Sequence, residues 1–201
     1  MTDQAKPRTD ADWRTYYQRT GDRPPRATLL FALDRFEAPG VAVDLGCGGG
    51  RDVVEMLRRG WTVWGADQAA SAGEEMRARP DLPITGELHF IRSRSEDAEW
   101  PACDLVNSSF SLPLCAPADF PRLWRRIEAR LRPGGRFSGQ LFGPKDSWYS
   151  RDGITFHSRE EVEALFAAWD VELLDEEEND STTPRGTQKH WHIWHIVARK
   201  R

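Results

Sequence analysis

Between residues 41 and 142, short apolar runs alternate with segments whose apolar positions recur every three or four residues. VAVDLG (41–46), WTVWGAD (61–67), LHFIR (88–92), CDLVNSS (103–109) and GRFSGQLF (135–142) read as strands. Near-continuous apolar runs of this length suit strands covered on both faces. RDVVEMLRR (51–59), residues 68–79 and PADFPRLWRRIEARL (117–131) read as the intervening helices. They end at Gly60, at Pro80 and Pro83, and at an RPGG turn. Upstream, ADWRTYYQRT (11–20) places Trp13, Tyr16 and Tyr17 at helical spacing, with Asp10 or Asp12 as cap. Pro24 and Pro25 break the chain before a second amphipathic helix, RATLLFALDRF (26–36). Downstream, Ser158 opens a capping box and the helix EEVEALFAAW. VELLDEEE (171–178) and HWHIWHIVA (190–198) then follow one another without a helix.

Strands alternating with helices predict an α/β fold: a doubly wound, mostly parallel seven-stranded sheet closed by an antiparallel C-terminal hairpin. One domain over 1–201 is expected. Residues 1–36 form a helical lid, 41–142 a binding core, and 143–201 a loop, helix and hairpin. The first ten residues are polar and expected to fray.

Composition narrows the function. The chain has 201 residues and 28 Lys+Arg against 32 Asp+Glu, a net charge of −4. Such a chain is a poor match to polyphosphate, so no nucleic-acid partner is expected. Three cysteines without a CxxC give neither a disulfide framework nor a zinc ribbon. Reduced thiols and the lack of an apolar leader or an 18-residue apolar run lead to a cytoplasmic expectation, with no membrane partner.

The segment VDLGCGGGRD (43–52), between the first strand and the first core helix, carries the chemistry. A ligand there meets strand C-termini and the positive end of a helix. A dinucleotide site needs a third glycine three residues after the second. From Gly46 and Gly48 that position is Arg51; from Gly48 and Gly50 it is Val53. Both frames fail. Asp44, two residues before Gly46, would also repel a pyrophosphate.

These residues resemble the first motif of the class I S-adenosylmethionine-dependent methyltransferases, with Asp44, Gly46, Cys47, Gly48 and Gly50 as its members here. Length and layout resemble the small bacterial tellurite-resistance and thiopurine-type enzymes. The resemblance implies S-adenosylmethionine as cofactor and assigns Asp67, at the end of the second strand, to the two ribose hydroxyls, with Gln68 beside it. A carboxylate accepts two hydroxyl protons well. Asp67 as a simple helix cap is the alternative. RSRSEDAEWP (92–101) resembles the adenine-binding turn, with Ser95, Glu96 and Asp97 as candidates; a solvated acidic turn is the alternative. Asn107 and Ser108 fall at the fourth motif, near the transferred methyl. Of Arg19, Arg23 and Arg26, Arg26 is the candidate for the methionine carboxylate.

Weaker signals lie near the C-terminus. His190 and His192 share one strand face while His195 faces the other way, too few ligands for zinc, so no metal is expected. The loop 143–158 offers Asp146, Trp148, Tyr149 and His157 for substrate specificity. DEEEND (175–180) reads as a solvated turn. The expected reaction is in-line methyl transfer to a small-molecule acceptor. A thiolate acceptor needs no base; an oxygen or nitrogen acceptor needs one, and His157 or a histidine of the last strand is the candidate. A nucleotide-binding oxidoreductase and a cofactor-binding protein without turnover are the competing readings.

Overall fold

In the computed structural model, residues 9–184 and 186–201 are described. The expected fraying of residues 1–8 lies outside them. Helices α1 (Asp10–Thr20) and α2 (Ala27–Leu33) precede an alternating series: β1 (Val41–Leu45), α3 (Arg51–Arg58), β2 (Thr62–Asp67), α4 (Ala70–Arg77), β3 (Glu87–Arg92), β4 (Cys103–Ser108), α5 (Phe120–Arg130) and β5 (Leu131–Phe142). α6 (Arg159–Leu165), β6 (Trp169–Thr182) and β7 (Gln188–Lys200) complete the chain. The seven-stranded sheet has the order β3-β2-β1-β4-β5-β7-β6. β1 to β5 pair in parallel, while β7 lies antiparallel between β5 and β6. The doubly wound, mostly parallel α/β fold with a closing hairpin is thus observed.

Two apolar clusters cover the two faces. One joins α5 and α6 through Leu123, Ile127 and Val162 to Val43, Leu45 and Val106. The other joins α2 and α3 through Leu29, Val53 and Met56 to Ala42, Val63 and Leu105. Alternate residues of β1 therefore feed opposite cores, which is why its run is apolar throughout. No helix among the described residues is long and apolar enough to cross a membrane.

Three expectations need correction. Thr9, not Asp10 or Asp12, caps α1: its hydroxyl accepts from Asp12 N at 3.2 Å and Asp12 bonds back to Thr9 N at 2.9 Å, a capping box. β5 begins at Leu131, and the RPGG segment forms an irregularity within it rather than a turn before it. DEEEND is not a turn but the middle of β6, paired from Asp175↔His195 to Asp180↔His190. Its charge is met across the strands: Glu176 Oε1 lies 3.0 Å from His192 Nε2 and Asp180 Oδ1 2.9 Å from His190 Nδ1.

The strand order reverses direction at β1, between β2 and β4. That is where open α/β sheets leave a crevice at their C-terminal strand ends.

Candidate active site

The turn from β1 into α3 builds the floor of that crevice. Gly46 N and Cys47 N donate to Ala66 O at 2.8 and 3.1 Å, tying the turn to β2. A Cβ at Gly46 would collide with the Ser111 hydroxyl, and one at Gly48 would stand 2.9 Å from the Tyr17 ring. Both glycines also have positive φ, 73° and 51°. Only glycine meets both demands without strain.

Asp67 ends β2 beside this turn. Its Oδ2 accepts from Gly48 N at 3.0 Å and its Oδ1 from Ala69 N at 2.9 Å and from the Tyr17 hydroxyl at 3.2 Å. Burial pushes its carboxyl up from the ordinary value, against the three hydrogen bonds. Asp67 bonds the backbone N–H of Ala69, but Ala69 is itself the N-cap of α4 and no side chain caps that helix, so Asp67 is not the simple helix cap of the alternative reading.

A second carboxylate pair lies under the turn. The Asn107 amide donates to Asp44 Oδ1 at 2.8 Å and to Asp52 Oδ2 at 3.2 Å, and its carbonyl accepts from Ser138 Oγ at 2.7 Å. Asp52 also accepts from Ser109 Oγ at 2.5 Å and from Arg26 N at 3.0 Å. Burial, reinforced by the Asp52 charge, holds the Asp44 carboxyl well above the usual carboxylate range. The three cysteines are buried and their thiols are pushed up, Cys103 and Cys115 to about 12, so none supplies a thiolate.

The crevice opens into one cavity of about 650 Å³. Trp13, Tyr16 and Tyr17 of α1 line one side, and Arg23 and Arg26 lie on the chain that follows. Asp44, Gly46, Cys47, Gly48, Asp67, Gln68, Ser95 and Glu96 line the cavity as the sequence suggested. Ser109, Phe110 and Ser111, after β4, connect this part to Phe142, Trp148, Trp191, His195 and Glu177.

Seven expected residues do not line it. Gly50 caps α3 at φ 82°, with Met76 where its Cβ would be, so it shapes the turn without facing the cavity. Asn107 and Ser108 lie one layer below: Ser108 Oγ donates to Leu45 O at 3.2 Å. Asp97 points outward to Arg122, 3.0 Å away. His157 is the largest correction. Its ring packs 4.6 Å from Phe120, centroid to centroid, and its carbonyl accepts from Trp194 Nε1. Its Nδ1 has no partner, and burial lowers its pKa to about 4. It belongs to the core, not to the chemistry. From the loop 143–158, Trp148 lines the cavity, whereas Asp146 is buried against Lys189 and Tyr149 is exposed.

Residues that sequence reasoning passed over are Asp52, Ser109, Phe110, Ser111, Trp191 and Glu177. Asp52 stood in the quoted motif; the others carry no local signal except alternation, which put Trp191 and His195 on one face of β7. No cluster of three or more metal-ligating side chains exists among the described residues.

Residues 42–135 match the model of a family described as a methyltransferase domain. No curated protein matches the chain by sequence. Among solved structures, TehB from Haemophilus influenzae superposes with a TM-score of 0.76 at 14% identity, over 92% of this chain and 66% of that protein's length. Magnesium protoporphyrin IX methyltransferase from Synechocystis with bound S-adenosylmethionine gives 0.66 at 14% identity, over 98% and 99%. The 1,6-didemethyltoxoflavin-N1-methyltransferase of Burkholderia thailandensis, with bound 1,6-didemethyltoxoflavin and S-adenosylhomocysteine, gives 0.62 at 20% identity, over 95% and 86%.

Proposed function

We propose that the chain is a class I S-adenosylmethionine-dependent methyltransferase, a reading supported by the match of residues 42–135 to a methyltransferase-domain family, and that it methylates a small-molecule acceptor held in the same cavity as the cofactor. One observation carries the reading. The Asp67 carboxylate and the glycine turn share a single cavity with an aromatic wall that the cofactor's polar parts do not require. The volume, about 650 Å³, is in the range of small-molecule sites. The proteins it resembles that act on a porphyrin and on toxoflavin precursors support a small acceptor.

The residues fit the cofactor. Asp67 would accept from the ribose hydroxyls, the bare backbone at Gly46 and Gly48 would let the ligand approach, and Ser95 and Glu96 would serve the adenine. Arg26, with Arg23 near it, would receive the methionine carboxylate. The bound cofactor supplies an electrophilic methyl on a sulfonium. The chain's task is then to align a nucleophile with that methyl and exclude water, and positioning alone supplies about 7–11 kcal/mol. α1, with Trp13, Tyr16 and Tyr17, acts as the lid; residues 143–201 build the acceptor side.

The test is calorimetry with S-adenosylhomocysteine. The wild-type chain should bind it, and Asp67→Ala should bind at least tenfold more weakly, since hydrogen bonds to a charged group contribute about 1.5–3 kcal/mol each. Preference for a nicotinamide dinucleotide would favour an oxidoreductase. Tight binding with no methyl transfer to thiol, amine or phenol acceptors would favour a binding protein.

A further inference from the structure

We propose that the part of the cavity between Phe110, Trp148 and Trp191 is an acceptor subsite for a planar aromatic compound bearing an N–H or O–H nucleophile, with His195 as the base that takes its proton and Glu177 as the positioning residue behind it. The proposal rests on the methyltransferase reading above.

The wall is built, not incidental. Phe110 has φ 57°, in the left-handed region that a bulky side chain seldom enters. Such a conformation persists only where its surroundings enforce it, and it concentrates at functional sites. Here Phe110 N donates to Gln140 Oε1 at 3.2 Å, Gln140 is held by Thr28 at 2.9 Å, and the Arg26 guanidinium sits 4.3 Å from the ring centroid. The Phe110 ring stands 6.2 Å from Trp191 at 84°, and Trp191 stands 5.9 Å from Trp148. Behind the two indoles, Lys189 Nζ lies 4.0 Å from the Trp191 centroid and 4.4 Å from that of Trp148. Its charge is met by Asp146, and both side chains are 0% exposed. The rings are thus fixed before any ligand arrives, and offer π surface rather than net charge.

His195 is the titratable group of this wall. Its ring centroid is 6.3 Å from Phe110, and its Nε2 is 2.7 Å from Glu177 Oε2. Phe110 lies between Ser109 and Ser111, and Ser111 packs on Gly46 of the cofactor turn. The base therefore stands one ring away from the segment that touches that turn. His190 and His192 also pair with carboxylates, but neither lines the cavity. β6 brings Glu177 and the exposed Asp175 to His195, and Arg26, at the start of α2 over the Phe110 ring, acts on Glu177.

A carboxylate on Nε2–H leaves the lone pair on Nδ1. A thiolate would need no such pair, so the arrangement points to a nucleophile that carries a proton. The acceptor's lone pair bonds to the methyl carbon as the methyl–sulfur bond breaks, and that bond's electrons go to sulfur. The acceptor's proton passes to His195 Nδ1, and the imidazolium is held by Glu177.

The experiment uses the full chain loaded with S-adenosylhomocysteine and titrated with 2-naphthol or cyclohexanol. Tryptophan fluorescence and calorimetry follow binding. 2-Naphthol should bind at least tenfold more tightly than cyclohexanol. Trp191→Ala should remove that advantage with S-adenosylhomocysteine affinity unchanged, and Trp191→Phe should keep most of it. Glu177→Gln and His195→Gln should each lower kcat for 2-naphthol methylation at least tenfold, with the affinities for 2-naphthol and S-adenosylhomocysteine unchanged. Equal binding of the two probes, an unaffected Trp191→Ala, or an undiminished kcat in His195→Gln would overturn the proposal. Failure of the wild type to bind S-adenosylhomocysteine would overturn the methyltransferase reading instead.

Discussion

The hydroxyl of Tyr17 lies 3.2 Å from Oδ1 of Asp67, so a helix fifty residues upstream closes over the carboxylate that ends β2. Burial and the Asp67 charge push the phenol up, so it stays protonated and donates. The same ring covers Gly48 and Gly49, and α1 is fastened to α4 through Arg14–Glu75 at 3.3 Å and through Ser71 N to Asp10 Oδ1 at 3.1 Å. Tyr17 therefore competes with any ligand donor for Oδ1 of Asp67.

Tyr17→Phe should keep the ring and remove the competing donor. S-adenosylhomocysteine should then bind more tightly, by up to about tenfold, since about 1.4 kcal/mol corresponds to a factor of ten. Weaker binding in calorimetry would mean that the hydroxyl is part of the bound site rather than its cover.

Gly48→Ala should be destabilising through two effects, the positive φ and the 2.9 Å approach to Tyr17. The left-handed region alone costs about 1–2 kcal/mol for a residue with a Cβ. In a Tyr17→Ala background the loss should shrink, because one clash is gone. Denaturant midpoints of the four proteins in this cycle measure the difference; strict additivity would rule out the contact.

Lys189 and Asp146 form a fully buried pair behind the aromatic wall. Desolvation lowers the Lys189 pKa, and the Asp146 bond opposes that. Lys189→Met leaves a buried carboxylate with Trp148 N and His192 N as its donors among the described residues, at 2.9 and 3.4 Å. The expected loss is about 3–5 kcal/mol. Lys189→Met combined with Asp146→Asn should lose less than Lys189→Met alone. Urea unfolding of both variants decides, and a larger loss in the double variant would contradict the argument.

His157 predicts an acid sensitivity unrelated to catalysis. Its pKa is about 4 in the folded chain, because burial disfavours the charged ring; unfolded histidine titrates near 6.5. Between those values the unfolded state binds the proton and the folded state does not. The contribution to stability is therefore complete above pH 6.5 and falls as pH drops toward 4, by at most about 3 kcal/mol at 1.36 kcal/mol per pH unit. His157→Phe, beside Phe120, should flatten this slope while leaving methyl transfer in place. An unchanged slope between pH 7 and 5 would show that His157 is not the source.

The sequence by itself determined the order and kind of the elements and the place of the glycine turn. Apolar runs bounded by glycine specify strands, 3.6-residue periodicity specifies helices, and the glycines of 46–50 mark a backbone that must turn without side chains. Asp67 was legible because a strand's end is a local feature. Helix α1 was legible as a helix, but nothing local said that Tyr17 would reach Asp67. Only the tertiary structure decided which neighbours of a recognised motif face the cavity. Glu96 turns in and Asp97 turns out, and Ser109 lines the cavity while Asn107 supports it from below. Likewise His195 faces the cavity and His157 the core. A one-residue step along a strand or turn reverses a side chain's direction. Which direction is inward depends on the sheet order and on segments distant in sequence that pack across it.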